Sequence, residues 1–573
     1  MKSKTRTILL IMFLLGIFMG ALDTGIVSPA RTVIADSFSV STSSSIWIIT
    51  IYTLAYAVSM PIAGKLADKY GKKEIFTISV TLFGIGSLFC GLSDFFHSYN
   101  MLLISRVIEA IGGGGIMPIA TAYIGDSFPI KKRGTALGLV GAVYGISTTL
   151  GPSVGSALLG IFGDKNWGIL FFINIPICLF IVITSILIKH ENIKTFHKKM
   201  DLLGSIFASL TILSLMYGLT NLKFYDFKNS IKSLDVYPYL IAFLIILPIF
   251  IIIEKKATDP IINLKYFTDK NIAITLFISF IVGAGMMGII FIPQFGANTL
   301  KLPAGSGGYL VTIMAIFSGI AAPLGGRLID KYSPKIMLFV GFFLSIIGCL
   351  GLAYYSNHFA SIAPLMTGLI LMGVGMGLTM GTPLNYLMQS YVDSKEVASA
   401  QSTLSLIRSI GVTVSPNILI NFIADAGRTI PNKIQAVMPP MKIPGMPTSA
   451  TSSMLNNNSS SMANSFQNAD VTTIVTSLEK FSSSMIDKAS PTIKHSLEIS
   501  HHLSPKITPD MVVNNFKHDY LLSIENSKNL IQSTYQHALN VGFKELFIAS
   551  AIIAFVGLLC TLLLSNKKAK TNP

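Results

Sequence analysis

The feature that most constrains this chain is a succession of apolar stretches, each about 20 residues long, beginning with ILLIMFLLGIFMGAL near the amino terminus. A bilayer core is about 30 Å thick, and a helix rising about 1.5 Å per residue needs roughly 20 apolar residues to cross it. Water is absent there, so each stretch must close its own backbone hydrogen bonds as a helix. A window of that length predicts fourteen spans, near residues 8–30, 44–64, 75–93, 101–123, 135–160, 168–188, 202–222, 237–253, 271–293, 306–326, 336–355, 361–384, 402–424 and 544–565. The expectation is an all-α integral membrane protein. Only 12% of the residues are charged, where soluble domains carry about 25%, so a water-soluble enzyme is excluded.

The net charge of +16 would in a soluble protein suggest nucleic acid, but here the basic residues flank apolar blocks and point to the membrane surface and its lipids. Alternate connections hold 25 Lys and Arg on one side against 6 in the short connections on the other. The positive-inside rule then puts both termini in the cytoplasm of a cell-membrane protein. Cys90, Cys178, Cys349 and Cys560 all lie in apolar stretches without ligand spacing, and the His501–His502 pair lies in low-complexity sequence, so neither a disulfide, a metal nor another cofactor is expected. One connection is long. Residues 425–543 are rich in Ser, Asn, Met and Pro, and should face outside as a partly disordered loop. Within it, VTTIVTSLEKF and Pro509–Leu539 carry helical periodicity consistent with a cap, a candidate docking site for an envelope partner.

The chain is internally duplicated. GKLADKYGKK (Gly64–Lys73) and GRLIDKYSPK (Gly326–Lys335) share Gly, Leu, Asp, Lys, Tyr and the final Lys at an offset of 262 residues. At an offset of 264, GISTTLGPSV aligns with SIGVTVSPNI, pairing Ile146 with Ile410, Thr149 with Thr413 and Pro152 with Pro416. Two six-helix halves therefore flank an inserted pair, an arrangement used by secondary transporters that rock around a central site. The expected division is residues 1–190, an inserted pair with its linkers at 191–270, spans 9 to 13 at 271–424, the loop at 425–543, and the last span with its tail at 544–573.

GKLADKYGKK resembles the signature loop of the major facilitator superfamily. LDTGIVSPA, RVIEAIGGG, GISTTLGPSVGSAL, FINIP and EKKATDPIINLKYF resemble its fourteen-span drug:proton antiporter family, the EmrB/QacA type. The chain departs from that pattern at Asn166–Trp167–Gly168, where many members have Arg-Trp, at Glu109, where many have Gln, and at SVGS in the fifth span. The resemblance implies the major facilitator fold, and it implicates Asp23 and Arg106 in coupling.

Buried ionisable groups are functional candidates because each costs at least about 2.5 kcal/mol in a bilayer. Asp23, Arg106 and Glu109 fall at similar depth, roughly 8–13 Å below the outer face at about 1.5 Å per residue. Arg106 and Glu109 are spaced to meet on one helix face. Asp23 or Glu109 is expected to alternate between a proton and either substrate or Arg106; a static, self-neutralising network is the alternative. Gly64, Asp68, Lys72, Asp126, Arg133 and Asp330 are expected to form a cytoplasmic latch holding an outward-open state. Gly141, Gly145, Gly151, Pro152 and Gly155 should clear one face of the fifth span and bend it into a gate. Tyr52, Tyr56 and Tyr144 are candidates for lining a cavity for flat cations. Arg408 has no evident acidic partner, and a substrate anion, a carbonyl or the inner surface are open as its destination. No G-x-x-x-x-G-K-[ST] occurs, so an ion gradient must supply the energy. The expected activity is proton-coupled export of an amphipathic, cationic small molecule. Export of a native lipid or metabolite is the alternative, followed by a non-transporting binding or assembly role.

Overall fold

The computed structural model describes residues 3–188, 201–300, 307–358, 362–439, 471–499 and 508–565. Every regular element among them is helical, and fourteen helices are long and apolar enough to cross a membrane. The first half contains α1 (Ser3–Ser37), α2 (Trp47–Tyr70), α3 (Lys72–Phe95), α4 (Tyr99–Ser127), α5 (Ile130–Phe162) and α6 (Asn174–Leu187). The inserted pair is α7 (Leu202–Asn221) and α8 (Tyr237–Lys256). The second half contains α9 (Lys270–Met286), α10 (Gly308–Lys331), α11 (Pro334–His358), α12 (Ile362–Thr379) and α13 (Val397–Val437). Beyond these lie α14 (Val471–Ile499), α15 (Pro509–Asn526) and α16 (Lys528–Leu563), the last returning through the second half.

Each half has its own apolar core, Phe13, Phe76 and Phe83 in the first and Phe295, Phe543 and Phe547 in the second. The halves meet through two equivalent contacts: α5 packs on α10, and α2 packs on α13. Apolar side chains such as Ile78, Leu82, Ile85 and Phe89 of α3 remain exposed, as a lipid-facing surface requires. The inserted helices pack on each other, and α7 touches both α2 and α13, so the pair bridges the halves. In α8 only Phe250 and Glu254 are buried.

Four helices depart from the straight spans that the sequence window gives. α12 stops at Thr379, Gly381 takes φ +148°, and the helix resumes over Thr382–Tyr391 with Pro383 in its first turn. Only glycine adopts that backbone without strain, and proline is well placed where a new helix starts. α9 passes through a 3-10 turn at Met287–Phe291 before continuing as Ile292–Thr299. α13 does not end near residue 424 but continues to Val437, and α16 begins at Lys528 rather than near 544. At about 1.5 Å per residue both extend far beyond one bilayer. Their projecting ends pack with α14 and α15 around Ile430, Ile434, Ile486, Ile493, Ile524 and Ile531. The periodic stretches of the long connection thus form a helical cap with a core of its own. The Ser/Asn-rich stretch at 440–470 and the His501–His502 pair lie outside the described residues.

Candidate functional site

The buried charges of the first half converge. Gly86 of α3 lets α4 approach so closely that an added Cβ would stand 2.3 Å from the Glu109 amide nitrogen. Glu109 is thereby pressed against α3, beside Cys90, whose thiol lies 3.5 Å from Oε2. Arg106, one turn away on α4, donates through Nη1 to Glu109 Oε2 at 2.6 Å and to Asp23 Oδ2 of α1 at 3.0 Å. All three are at most 2% exposed. The Tyr52 ring of α2 lies 3.9 Å from the guanidinium carbon and covers its face. Asn174, from the FINIP segment, donates to Ser87 Oγ at 2.9 Å and reaches Asp23 Oδ1 at 3.5 Å. Asn174 and Ser87 were not singled out from the sequence; a polar residue at the start of an otherwise apolar helix was the available signal. Glu109 Oε1 is buried without a partner.

Two carboxyls sharing one guanidinium nitrogen cannot both be ionised without leaving a net negative charge away from water. The cluster is neutral when one of them holds a proton. Charge-assisted hydrogen bonds of about 1.5–3 kcal/mol each offset its burial.

At one end of the bundle the duplicated loops do the same thing twice. Asp68 accepts from the backbone N–H of Ala398 at 2.9 Å and Ser399 at 2.7 Å, and from Ser399 Oγ at 2.6 Å. Asp330 accepts from the backbone N–H of Gly134 at 2.7 Å and Thr135 at 2.9 Å, and from Thr135 Oγ1 at 2.8 Å. Each aspartate thus binds amides near the start of a helix in the opposite half: Asp68 those of the second and third residues of α13, which lack intrahelical partners, and Asp330 those of the fifth and sixth residues of α5, one turn in, where the helix dipole still favours a carboxylate. Close approach makes this reachable: an added Cβ on Gly64 would lie 2.7 Å from the Ala398 carbonyl, and one on Gly326 would lie 2.3 Å from that of Gly134. The hydrogen-bonding partners of Asp68 are therefore main-chain amides and a serine, none of them among the residues of the expected latch. Lys72 pairs instead with Asp126. Arg133 joins neither pair, and its Nε is buried without a hydrogen bond.

The linker after α8 reinforces this end. Lys65 Nζ, one turn before Asp68, donates to Asp259 Oδ1 at 2.5 Å. Glu396, at the start of α13, accepts from Asn263 Nδ2 at 3.0 Å and from the Tyr266 hydroxyl at 3.1 Å. Burial first, and the Glu396 carboxylate second, push the Tyr266 phenol above its ordinary range and keep it a donor. The buried Glu254 accepts from the Ile261 amide at 3.2 Å and folds the linker back on itself. The segment EKKATDPIINLKYF carries the resemblance, but its spacing alone did not assign this strap.

The glycines of α5 divide between two jobs. Cβ atoms on Gly151 and Gly155 would meet α1 backbone at 2.8 and 2.4 Å, so these two close the first half internally. Gly141 and Gly145 face the second half less tightly, an added Cβ meeting Thr382 and Ser318 at 3.6 Å, an ordinary contact distance. α5 is continuous through Pro152 from Ile130 to Phe162, so the residue expected to break the ladder sits within one uninterrupted helix. Pro152 lines a cavity of about 370 Å³ at the cap end, with Ser28, Thr148, Thr149 and Ser153 on one side and Met286, Ile289, Ile290, Pro293 and Val311 on the other. Such a volume suits a drug-sized molecule.

Of the three tyrosines, Tyr52 is 4% exposed. Its face is already taken by Arg106, which removes it from the expected cation cavity. Tyr56 stacks on Tyr52 at 5.8 Å, and it and Tyr144 are half-buried. Arg408 of α13 is 4% exposed, within electrostatic reach of Tyr56 and Tyr144, and its Nε and Nη2 have no hydrogen-bond partner.

Comparison with known proteins points in one direction. Residues 13–416 match the sequence profile described as Major Facilitator Superfamily. The chain is 39% identical over 427 residues to the Uncharacterized MFS-type transporter YfiU of Bacillus subtilis, covering 74% of this chain and 80% of that one. It is 32% identical over 436 residues to Multidrug resistance protein 3 of the same organism, covering 74% and 82%. Its fold is similar to that of the proton:xylose symporter XylE, with a TM-score of 0.53 at 13% identity over 75% of this chain and 91% of the other.

Proposed function

The chain belongs to the Major Facilitator Superfamily, and from that premise we propose that it is a proton-coupled antiporter that exports amphipathic compounds across the cell membrane by alternating access. The observation that carries this reading is the Asp23–Arg106–Glu109 cluster, two carboxyls on one guanidinium nitrogen inside a helical bundle. Such a cluster takes up one proton to become neutral and releases it when Arg106 is drawn closer, so proton occupancy and helix position are linked. The paired Asp68 and Asp330 caps close the end that charge asymmetry assigns to the cytoplasm, while the cavity at Thr148 and Met286 lies toward the cap, as an outward-facing state requires. Within the superfamily, the EmrB/QacA-type drug:proton antiporters are the branch we assign. The names of the relatives support drug export, two of them being Multidrug resistance protein 3 and Multidrug transporter protein MdtP. The cap's separate core favours an added role as a docking site for an envelope partner.

The cationic cargo expected from the tyrosines would have to compete with Arg106 for Asp23 or Glu109. The test is proton release from inverted vesicles containing the protein on addition of lipophilic cations, neutral drugs, organic anions and lipids. Compound-dependent proton movement should be present in the wild type and lost in Asp23→Asn and Glu109→Gln at equal membrane levels. Unchanged movement in both variants refutes the coupling role.

A further inference from the structure

The buried charged side chains of the described residues are almost all answered. Asp23, Arg106 and Glu109 answer one another, Lys65 meets Asp259, and Glu254 accepts backbone amides. Arg408 is the exception: no acidic side chain of the described residues pairs with it, and two of its nitrogens have no hydrogen-bond partner. An unpaired guanidinium inside a membrane bundle is costly and persists where a ligand supplies the missing charge.

Its position agrees. The offset of 264 residues that pairs Pro152 with Pro416 pairs Arg408 with Tyr144, so the two occupy equivalent places in the two halves. Tyr144 lies one turn below Thr148, whose hydroxyl donates to the Tyr144 carbonyl at 3.0 Å and which lines the 370 Å³ cavity. The Arg408 stem packs over Gly283, where an added Cβ would stand 3.1 Å from Cγ, and Met286, one turn further along α9, lines the same cavity. Tyr144 and Arg408 do not line the cavity themselves; each adjoins its wall through a neighbour, Tyr144 through Thr148 and Arg408 through the Gly283–Met286 turn. Nε and Nη2 are the two donors on one edge of a guanidinium and form a fork that matches the paired oxygens of a carboxylate or sulfonate.

We propose that Arg408 recognises the acidic group of an amphipathic anion, so that the exported cargo is a flat apolar body bearing a carboxylate or sulfonate, held against Tyr56 and Tyr144. This rests on the antiporter reading and fixes the charge of its cargo. An anion leaving in exchange for an entering proton moves two positive charges inward, where a monovalent cation would move none. A membrane potential of about 100 mV, negative inside, therefore raises the attainable gradient by roughly three orders of magnitude.

The test uses the purified full chain in proteoliposomes with an imposed pH gradient and two probes of matched shape, naphthalene-2-sulfonate and 2-naphthyltrimethylammonium. The wild type should move the sulfonate, with an inward current whose sign follows the proton. Arg408→Lys, which keeps the charge and loses the fork, should raise KM about 10- to 100-fold, the equivalent of one charge-assisted bond. Arg408→Met removes an unpartnered charge and should fold normally, as its thermal unfolding would show, yet lose sulfonate transport. Movement of the ammonium without the sulfonate, or unchanged sulfonate KM in both variants, overturns the proposal while leaving antiport intact. Sulfonate movement without protons supports the anion site and overturns antiport, and movement of neither probe by folded protein overturns both.

Discussion

Replacing Asp68 with asparagine removes one negative charge and one acceptor from the start of α13 and leaves the shape of the side chain unchanged. The carboxylate accepts from two amides and a hydroxyl at 2.6–2.9 Å. Asparagine keeps one acceptor oxygen and turns an N–H group toward donors. The loss is one charge-assisted bond, about 1.5–3 kcal/mol, and the favourable charge at a helix start, about 0.3–1 kcal/mol. About 2–4 kcal/mol of the closed state is forfeited, which shifts the closed-to-open ratio about 30- to 1,000-fold. Asp330 still holds the equivalent contact, so the double variant should shift further. Tyr70 and Tyr332 are exposed, occupy equivalent places in the two halves, and flank the latch. Spin labels on Tyr70→Cys and Tyr332→Cys, in a background where the partly accessible Cys560 is serine and the other native cysteines are buried, report the separation by pulsed electron resonance. The distribution should move to longer distances in Asp68→Asn and Asp330→Asn. An unchanged or shorter distribution in both would refute the capping account.

Loosening the strap with Asp259→Asn leaves Lys65 unpaired in a largely buried site, which costs more than the about 1 kcal/mol of an exposed pair, and should lengthen the same distances. Gly155→Val places side-chain atoms into α1 backbone and should lower thermal stability of the first half by about 1–3 kcal/mol or more; Gly145→Leu, whose Cβ meets only Ser318 of the opposite half at an ordinary 3.6 Å, should wedge the two halves and slow exchange between states, read as transport falling more than the unfolding temperature. Asn174→Leu strips Ser87 and Asp23 of a donor and should weaken proton coupling more than cargo binding, seen as less proton movement per transported molecule. Ile524→Asp buries a charge in the cap core and should expose α15 to limited proteolysis while transport through the bundle continues.

What the sequence made legible follows from how strongly each physical requirement writes itself into residues. A bilayer demands uninterrupted apolar length, so the fourteen spans were readable, and the repeat placed Asp68 and Asp330 together without coordinates. Charges are rare enough in spans that Asp23, Arg106 and Glu109 stood out, and their distances now place them in one cluster. Backbone partners leave no side-chain signature, which is why Ala398, Ser399, Gly134 and Thr135, whose amides receive the two aspartates, are absent from the latch expected from the sequence. Polar loops resemble disorder by composition, so the cap helices were read only as patches of periodicity. Tyr52 could not be separated from Tyr56 because spacing shows a shared face and not which ring Arg106 already covers.

The twin caps also bear on how two halves of one chain can drift apart after duplication. At the receiving ends the residues differ, Ala398 against Gly134 and Ser399 against Thr135, yet the hydrogen bonds are the same in kind and nearly the same in length. A lock whose keyhole is mainly peptide amide needs little from its surroundings beyond small size and a hydroxyl. Gly64, Asp68, Gly326 and Asp330 are the shared residues that make this contact, while elsewhere the halves differ, one holding the carboxyl cluster and the other a solitary arginine.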